Sequence, residues 1–307
     1  MPRVVISEFM DEPAIDWLRA RHEVIYDPAL VDDPAALRAA CADAAGLIVR
    51  NRTQVDAALM DAAPGLRAIG RLGVGLDNID TETAKARGVA VFPATGGNVT
   101  SVAEYVITAL MVLRRGAWLG SAEVLSGAWP RQRMMGLEVE GASLGLVGFG
   151  AIAQATADRA RALGMSIAAY DPYLPADNPA WQGIARFDDL DKLTAHADAL
   201  SLHVPLTDAT RGLFGADRLA MMKPGAVLIN TARGHIVDEG ALADALHSGH
   251  LGGAAIDVFA SEPLGAGSPL EGAPNLIATP HIAGVTVESN TRISWITVRN
   301  VDGALAG

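Results

Sequence analysis

Arg233, Glu262 and His281 each stand just past a short apolar run, and their side chains are of the kinds that move a proton beside an acid substrate. Arg233 lies in Asn230-Thr231-Ala232-Arg233-Gly234 after Ile229, Glu262 follows Ile256-Asp257, and His281 follows Thr279-Pro280. An imidazole takes a proton from a hydroxyl and returns it in the reverse direction. A carboxylate beside that imidazole holds one tautomer and raises its pKa by favouring the cation. A guanidinium grips a carboxylate in a planar fork and polarises a neighbouring oxo group, which lysine does not reproduce. Each residue also has a plain reading by itself: a loop histidine, a turn acid before Pro263, a surface ion-pair partner. Their shared position past strand ends favours a joint role over three separate plain ones.

A second pattern supplies a frame for them. Leu144-Gly145-Leu146-Val147-Gly148-Phe149-Gly150-Ala151-Ile152-Ala153 is a glycine turn between a buried strand (143–147) and a helix (151–163) closed by Gly164. A second strand (166–170) and Asp171 follow. Gly148 permits the tight turn, Gly150 lets backbone approach a pyrophosphate, and the helix start at Ala151 and Ile152 offers free N–H groups and a positive dipole end. The third small residue is Ala153, a departure from glycine. Asp171 stands where a carboxylate accepts from a ribose diol and repels a 2′-phosphate, and Pro172-Tyr173-Leu174 brings no cation, so NAD is expected over NADP. In a doubly wound sheet the ligand sits beyond the carboxyl ends of the strands. His203-Val204-Pro205, Thr231-Ala232-Arg233, Asp257 and His281 all follow such ends. The chemistry this points to is hydride exchange between a 2-hydroxy acid and a nicotinamide.

The elements that must position these residues alternate between short β-branched runs and alanine-rich helical stretches, the pattern of α/β layers on parallel sheets. The first set comprises 4–6, 24–26, 47–49, 66–69 and 89–92, without a phosphate-type glycine turn; the second, of six strands, begins at Ser143. Pro93-Ala94-Thr95-Gly96-Gly97-Asn98 reads as a hinge before a long apolar helix at about 101–113. A final helical stretch, 287–301, is too short for a domain and is expected to pack on the first set. The expected fold is therefore two doubly wound parallel-sheet α/β domains. A flavodoxin-like substrate domain, 1–98 plus 285–307, is split by an inserted Rossmann NAD-binding domain, 99–284, with a cleft between them.

Composition narrows the alternatives. The chain has 307 residues, half of them apolar, and a net charge of -11 from 35 acidic against 24 basic side chains, which disfavours nucleic-acid binding. Cys41 is alone, so no intrachain disulfide forms, and it is expected as a core thiol. Glu8 and Asp11 come too early for a secretory signal, and no apolar run approaches membrane-spanning length, so a cytoplasmic protein is expected. The remaining histidines lack the companions of a metal site. Asp77, Asn78 and Asp80 lack the EF-hand glycine and terminal glutamate and read as loop caps.

The chain resembles the D-isomer-specific 2-hydroxyacid dehydrogenases, the family of D-3-phosphoglycerate, glycerate, formate and D-lactate dehydrogenases. The motifs that carry the resemblance are Gly73-Val74-Gly75-Leu76-Asp77-Asn78-Ile79-Asp80, 98–104, the glycine turn, Asn230-Thr231-Ala232-Arg233-Gly234, Asp257-Val258-Phe259, Glu262-Pro263 and Thr279-Pro280-His281-Ile282-Ala283-Gly284. It implies Arg233, Glu262 and His281 as the catalytic trio and Asp257 on the nicotinamide carboxamide. It also implies cofactor contacts from Ala151, Ile152, Asp171, Val204, Thr231 and the stretch His281 to Gly284, including Ala283. The substrate carboxylate falls to the amides of Val74 and Gly75, a backbone anion nest. Position 151 is often arginine in the family. Alanine here leaves cofactor binding to lean on the helix terminus. Arg50, which matches a family arginine, and Arg52 are expected at the cleft mouth, and two cations there suit a substrate with a second anionic group. For Arg52 a solvated loop position is an equal alternative. With the stretch Glu8-Phe9-Met10-Asp11-Glu12, this loop resembles the sulfolactate dehydrogenase branch; phosphoglycerate and glycerate enzymes are the other candidates. Trp129-Pro130-Arg131 matches a family dimer segment, which implies a homodimer. A rival of another class is a dinucleotide-sensing corepressor on the same fold, disfavoured because no added interaction segment follows Gly307; a methyltransferase would leave Glu262 and His281 idle.

Overall fold

The computed structural model describes all residues, Met1–Gly307. The chain divides into two compact units, Met1–Asn98 with Val285–Gly307, and Val99–Gly284. In the first, strands β1 (Arg3–Ile6), β2 (Glu23–Tyr26), β3 (Ala44–Val49), β4 (Ala68–Arg71) and β5 (Ala90–Pro93) form a wholly parallel sheet in the order β2-β1-β3-β4-β5, the flavodoxin-like order. β3 and β4 are apolar and buried along nearly their whole length, as a sheet covered on both faces requires. The last helix, Val287–Ala306, lays Ile293, Val298, Val301 and Leu305 against Val4, Ile6, Ile48 and Ala68. A reciprocal capping box between Thr286 and Ser289 starts it.

The second unit holds seven parallel strands: β6 (Ser143–Val147), β7 (Ser166–Tyr170), β8 (Ala185–Arg186), β9 (Ala199–Leu202), β10 (Val227–Asn230), β11 (Gly253–Ile256) and β12 (Leu276–Ala278). Their order, β12-β11-β10-β9-β6-β7-β8, is that of the Rossmann sheet with one strand added at the far edge. One face packs on helices Val99–Arg115 and Ala151–Ala162 through Val106, Leu110, Leu146, Ala153 and Ala157. The other face carries Leu193, Leu200, Leu228 and Leu242.

Several boundaries differ from the sequence reading, β4, two helices and an added strand most of all. β4 starts at Ala68 rather than Leu66, because the Leu66 N–H donates to the Ala63 carbonyl in a turn and its side chain enters the core from there. The helices expected over 101–113 and 287–301 run over Val99–Arg115 and Val287–Ala306. β8 was not anticipated, since two residues at a sheet edge carry no readable alternation.

Asp198 pins β6 to β9 at their starts. Its Oδ2 accepts from the Ser143 N–H and Oγ–H, each at 2.8 Å, and Lys223 Nζ donates to Oδ1 at 2.9 Å. Burial works to raise this carboxyl, but the Ser143 and Lys223 interactions prevail and hold it at about 2, below its ordinary 3.8. A depressed carboxylate stabilises the fold above its unfolded-state pKa, and that contribution is lost as pH falls through the folded value. About 2 kcal/mol should therefore be fully present above pH ~5 and fade toward pH ~2. In urea titrations, wild type and Asp198→Asn should differ most near neutrality and converge in acid. A gap that widens in acid would contradict this assignment.

Candidate active site

The glycine turn stands at the carboxyl end of β6. Gly148 has φ +85°, and a Cβ there would lie 2.6 Å from the His203 carbonyl oxygen, so only glycine lets the turn lie against the loop after β9. Phe149 stacks on Trp181 with ring centroids 5.1 Å apart and anchors the turn in the core. Gly150 caps helix Ala151–Ala162 without any side-chain hydrogen bond, and open space lies where its side chain would be. The amides of Ala151, Ile152 and Ala153 have no acceptor in the protein. Free first-turn N–H groups under open space fit a pyrophosphate. Asp171, at the end of β7, accepts from the Phe149 N–H on Oδ2 at 2.9 Å and from the Tyr173 and Leu174 N–H groups on Oδ1 at 2.9 and 3.1 Å. Those bonds lock the carboxylate beside the turn and still leave it lone-pair capacity for a ribose hydroxyl.

The next two strand ends continue the groove. After β9, burial pushes the His203 imidazole down to about 4, so it is neutral at pH 7, and its Nε2 lies 2.9 Å from Ser201 Oγ. Val204 is half-buried and Pro205 exposed. After β10, the Thr231 hydroxyl oxygen is buried without any hydrogen-bond partner. A buried polar atom costs about 1–3 kcal/mol when left unsatisfied, which a bound ligand would relieve. The turn amides, Asp171 and Thr231 together fit a dinucleotide.

The same end of the sheet assembles the trio. The Asn230 side chain holds the loop after β10, accepting from the Ala232 N–H at 3.0 Å and donating to the Arg233 carbonyl at 2.9 Å. A Cβ on Gly234 would fall 1.9 Å from the Phe259 carbonyl carbon, so this glycine brings the arginine loop against the loop after β11. There Glu262 Oε1 accepts from the Phe259 N–H at 3.0 Å and Oε2 lies 2.8 Å from His281 Nδ1. Burial works to raise the Glu262 carboxyl, but the bonds from His281 and Phe259 and the charges of His281 and Arg233 hold it below the usual carboxylate range. It is therefore ionised at neutrality. With Nδ1 committed to Glu262, Nε2 of His281 is the nitrogen left for proton transfer.

Asp257 is buried at the end of β11 and spends its carboxylate on the loop that carries His281. Oδ1 accepts from Thr279 Oγ1–H at 2.6 Å and the Ile282 N–H at 2.8 Å, and Oδ2 from the Ala283 N–H at 2.8 Å. Its carbonyl accepts from the His281 N–H at 2.8 Å. Gly284 closes the segment.

In the first unit, Glu8 organises the arginine loop. Its Oε1 accepts from the Arg50 and Thr53 N–H groups at 2.8 and 3.0 Å, and Oε2 from the Arg52 N–H at 3.2 Å. Arg50 donates through Nη2 to Asn290 Oδ1 at 2.6 Å, while its Nε is buried without a partner. Burial pulls this guanidinium below its ordinary pKa, with Glu8 opposing. Arg52 instead pairs with Asp32 at the surface, which is the solvated alternative. The amides of Val74 and Gly75, after β4, have no acceptor in the protein. Asn78 ties the two loops by donating to the Arg50 and Thr53 carbonyls, and Asp80 caps the next helix.

Residues 107–283 match the model of the D-isomer specific 2-hydroxyacid dehydrogenase, NAD binding domain. The chain belongs to that family. It is an NAD-dependent enzyme that interconverts 2-hydroxy and 2-oxo acids by hydride transfer. It is 58% identical over 305 residues to the (S)-sulfolactate dehydrogenase of Chromohalobacter salexigens, with 99% of each chain covered. It is 40% identical over 309 residues to the D-3-phosphoglycerate dehydrogenase of Mycobacterium tuberculosis, spanning 57% of that relative's length and all of its own. The NAD-dependent formate dehydrogenase of Staphylococcus aureus, solved with NAD, superposes with a TM-score of 0.84 at 29% identity, covering 100% of this chain and 95% of that one.

Within the second unit, then, Arg233, Glu262, His281 and Asp257 gather on three adjoining loops, and the turn residues, Asp171, His203 and Thr231 line neighbouring strand ends. Sequence reasoning missed Arg71, buried at the end of β4 and donating to the Leu72 carbonyl at 2.9 Å, although the strand-end rule applied to the first sheet would have found it. It also missed Tyr105, which carried no motif. Replacing His281 by alanine should abolish turnover while leaving NADH affinity, read by fluorescence titration, within about threefold, as expected for a group that acts in the transition state. Loss of NADH binding in step with activity would sink that role.

Proposed function

We propose that this dehydrogenase acts on a small 2-hydroxy acid bearing a second anionic group, with sulfolactate first and 3-phosphoglycerate second, and glycerate as the singly charged fallback. The observation that carries the reading is Arg50, a largely buried cation whose Nε has no partner in the protein. A buried guanidinium with an unsatisfied donor favours an anionic ligand as a counter-charge beside Glu8. The name of the 58% identical relative, (S)-sulfolactate dehydrogenase, agrees with it.

In this reading Met1–Asn98 with Val285–Gly307 is the substrate domain and Val99–Gly284 the NAD-binding domain. On the substrate domain the amides of Val74 and Gly75 are donors for a substrate carboxylate and Arg50 for the second anion; on the NAD-binding domain Arg233 is a donor for a carboxylate. The turn amides, Asp171 and Thr231 would hold NAD, whose nicotinamide would supply the hydride acceptor for C2 in oxidation and the hydride donor in reduction. His281 Nε2 accepts the hydroxyl proton in oxidation and donates it in reduction. Glu262 stabilises the imidazolium that forms, and Arg233 polarises the 2-oxo group. Oxidation thus needs neutral His281 and reduction its cation, so the two directions should have opposite pH limbs.

The enzyme works as a dimer in this reading. Trp118, Leu125, Trp129, Met135 and Leu137 are 59, 88, 75, 77 and 55% exposed within the segment between helix Val99–Arg115 and β6. So many large apolar side chains in one stretch favour burial against a second copy. A cytoplasmic location fits the buried free thiol of Cys41, pushed up to about 11 by burial and so unreactive.

NADH absorbance across sulfolactate, 3-phosphoglycerate, glycerate, lactate and their oxo acids tests the substrate. The doubly charged acids should lead, and Arg50→Gln should cost them about tenfold or more in kcat/KM while changing lactate little. If lactate and glycerate lead, the second-anion reading fails. Sedimentation should give a dimer that Leu125→Glu with Trp129→Glu converts to monomers; a wild-type monomer at working concentration would remove the dimer.

A further inference from the structure

His281 holds an unusual backbone for its place in the chemistry. Its φ is +54°, in the left-handed region that side chains other than glycine avoid, so neighbouring bonds must hold it there. Asp257 does so from both sides, through its carbonyl to the His281 N–H and its carboxylate to the Ile282 and Ala283 N–H groups. The remaining bond on that carboxylate comes from the first residue of the same loop. Thr279 Oγ1 donates to Asp257 Oδ1 at 2.6 Å, and Tyr105 Oη lies 2.6 Å from the same Thr279 oxygen. Because the threonine proton is used on an ionised carboxylate, the Tyr105 phenol must be the donor to Thr279. Burial pushes the Tyr105 phenol up, which keeps it a donor across the working pH range. Tyr105 stands on helix Val99–Arg115, which packs under β10 and β11, so its hydroxyl ties a rigid element of the core to the catalytic loop.

We infer that Tyr105 is a positioning residue for proton transfer, acting through Thr279 and Asp257 to keep the His281 imidazole on Glu262. The chain Tyr105 O–H to Thr279 O–H to Asp257 has each donor matched to one acceptor, and the tyrosine orients the threonine that would otherwise turn its proton elsewhere. Loosening that first link lets the Asp257 carboxylate shift and with it the two amides that flank His281. A small displacement there lengthens the 2.8 Å bond between His281 and Glu262. The Glu262 carboxylate that accepts from the imidazole favours its cation, and the Arg233 charge acts on that same carboxylate.

Tyr105→Phe keeps the ring and removes only the hydroxyl. For reduction of the preferred oxo acid, kcat should fall about tenfold while the NADH dissociation constant stays within about twofold. The high-pH decline of kcat/KM should move to lower pH, because an imidazole less well held by Glu262 gives up its proton more easily. In a Glu262→Gln background the same change should cost much less than in wild type, since the two act on one orientation. An unchanged kcat and pH profile would overturn the inference, and so would losses that multiply independently of Glu262. The inference rests on the assignment of His281 and Glu262 as the proton-transfer pair, and the two fail separately. Turnover surviving His281→Ala defeats the pair, whereas a dead His281→Ala beside an unaffected Tyr105→Phe defeats only the tyrosine.

Discussion

The hydrogen bond between His281 Nδ1 and Glu262 Oε2 requires two loops from adjacent strands to meet within 2.8 Å, and much of the second unit is arranged so that they do. Neither loop has regular structure to hold it. The loop after β12 is held by Asp257, and the loop after β11 by the Phe259 N–H on Glu262 and by the arginine loop lying against it. That last approach is possible only because position 234 has no side chain. An alanine there would occupy the same space as the Phe259 backbone, so a residue without any reacting atom decides whether Arg233 and Glu262 share an electrostatic environment.

The parallel sheet makes such an assembly available at low cost. Parallel strands send every carboxyl end to one edge, so loops from β6, β7, β9, β10, β11 and β12 need only a few residues each to contribute. The strands themselves are three to five residues long, mostly apolar and buried in the middle of the sheet, and Asp198 fixes the starts of β6 and β9 at the opposite edge. Stability and chemistry are thereby separated along one axis. The starts of the strands hold the sheet, and their ends are free to carry polar residues whose spacing answers to a ligand rather than to packing.

This separation explains what could be read from the chain alone. Buried strands leave continuous apolar runs, and the residues just past each run lie along the carboxyl edge of the sheet, so Gly148, Asp171, Thr231, Asp257 and His281 were all accessible from linear order. Interactions that join distant elements were not. Nothing near Tyr105 in the sequence distinguishes it from a core aromatic, because its partner lies 174 positions away. Asp257 shows a subtler limit. Resemblance assigns it to the nicotinamide, and its position adds that both oxygens also hold the His281 loop, a role visible only once amides 282 and 283 are placed. Arg52 and Arg50 are two residues apart, yet one pairs with Asp32 in solvent and the other is buried against Asn290, a difference set by which side of a turn each faces.

Both units rely on the same device at their irregular backbone. Glu8 at the end of β1 and Asp257 at the end of β11 are acidic side chains with 5% and 1% exposure, and each accepts several amide protons from a loop that has no ladder of its own. A carboxylate suits this task because it offers about four acceptor sites and no competing donor, where an amide or hydroxyl side chain would leave part of the loop unsatisfied. Burying such a charge is costly unless its acceptors are filled, so each carboxylate binds its loop as firmly as the loop satisfies it. The loops that carry Arg50 and His281 are thus rigid without being regular, and rigidity of that kind is what a guanidinium or imidazole needs to meet a small acid with its donors already aimed.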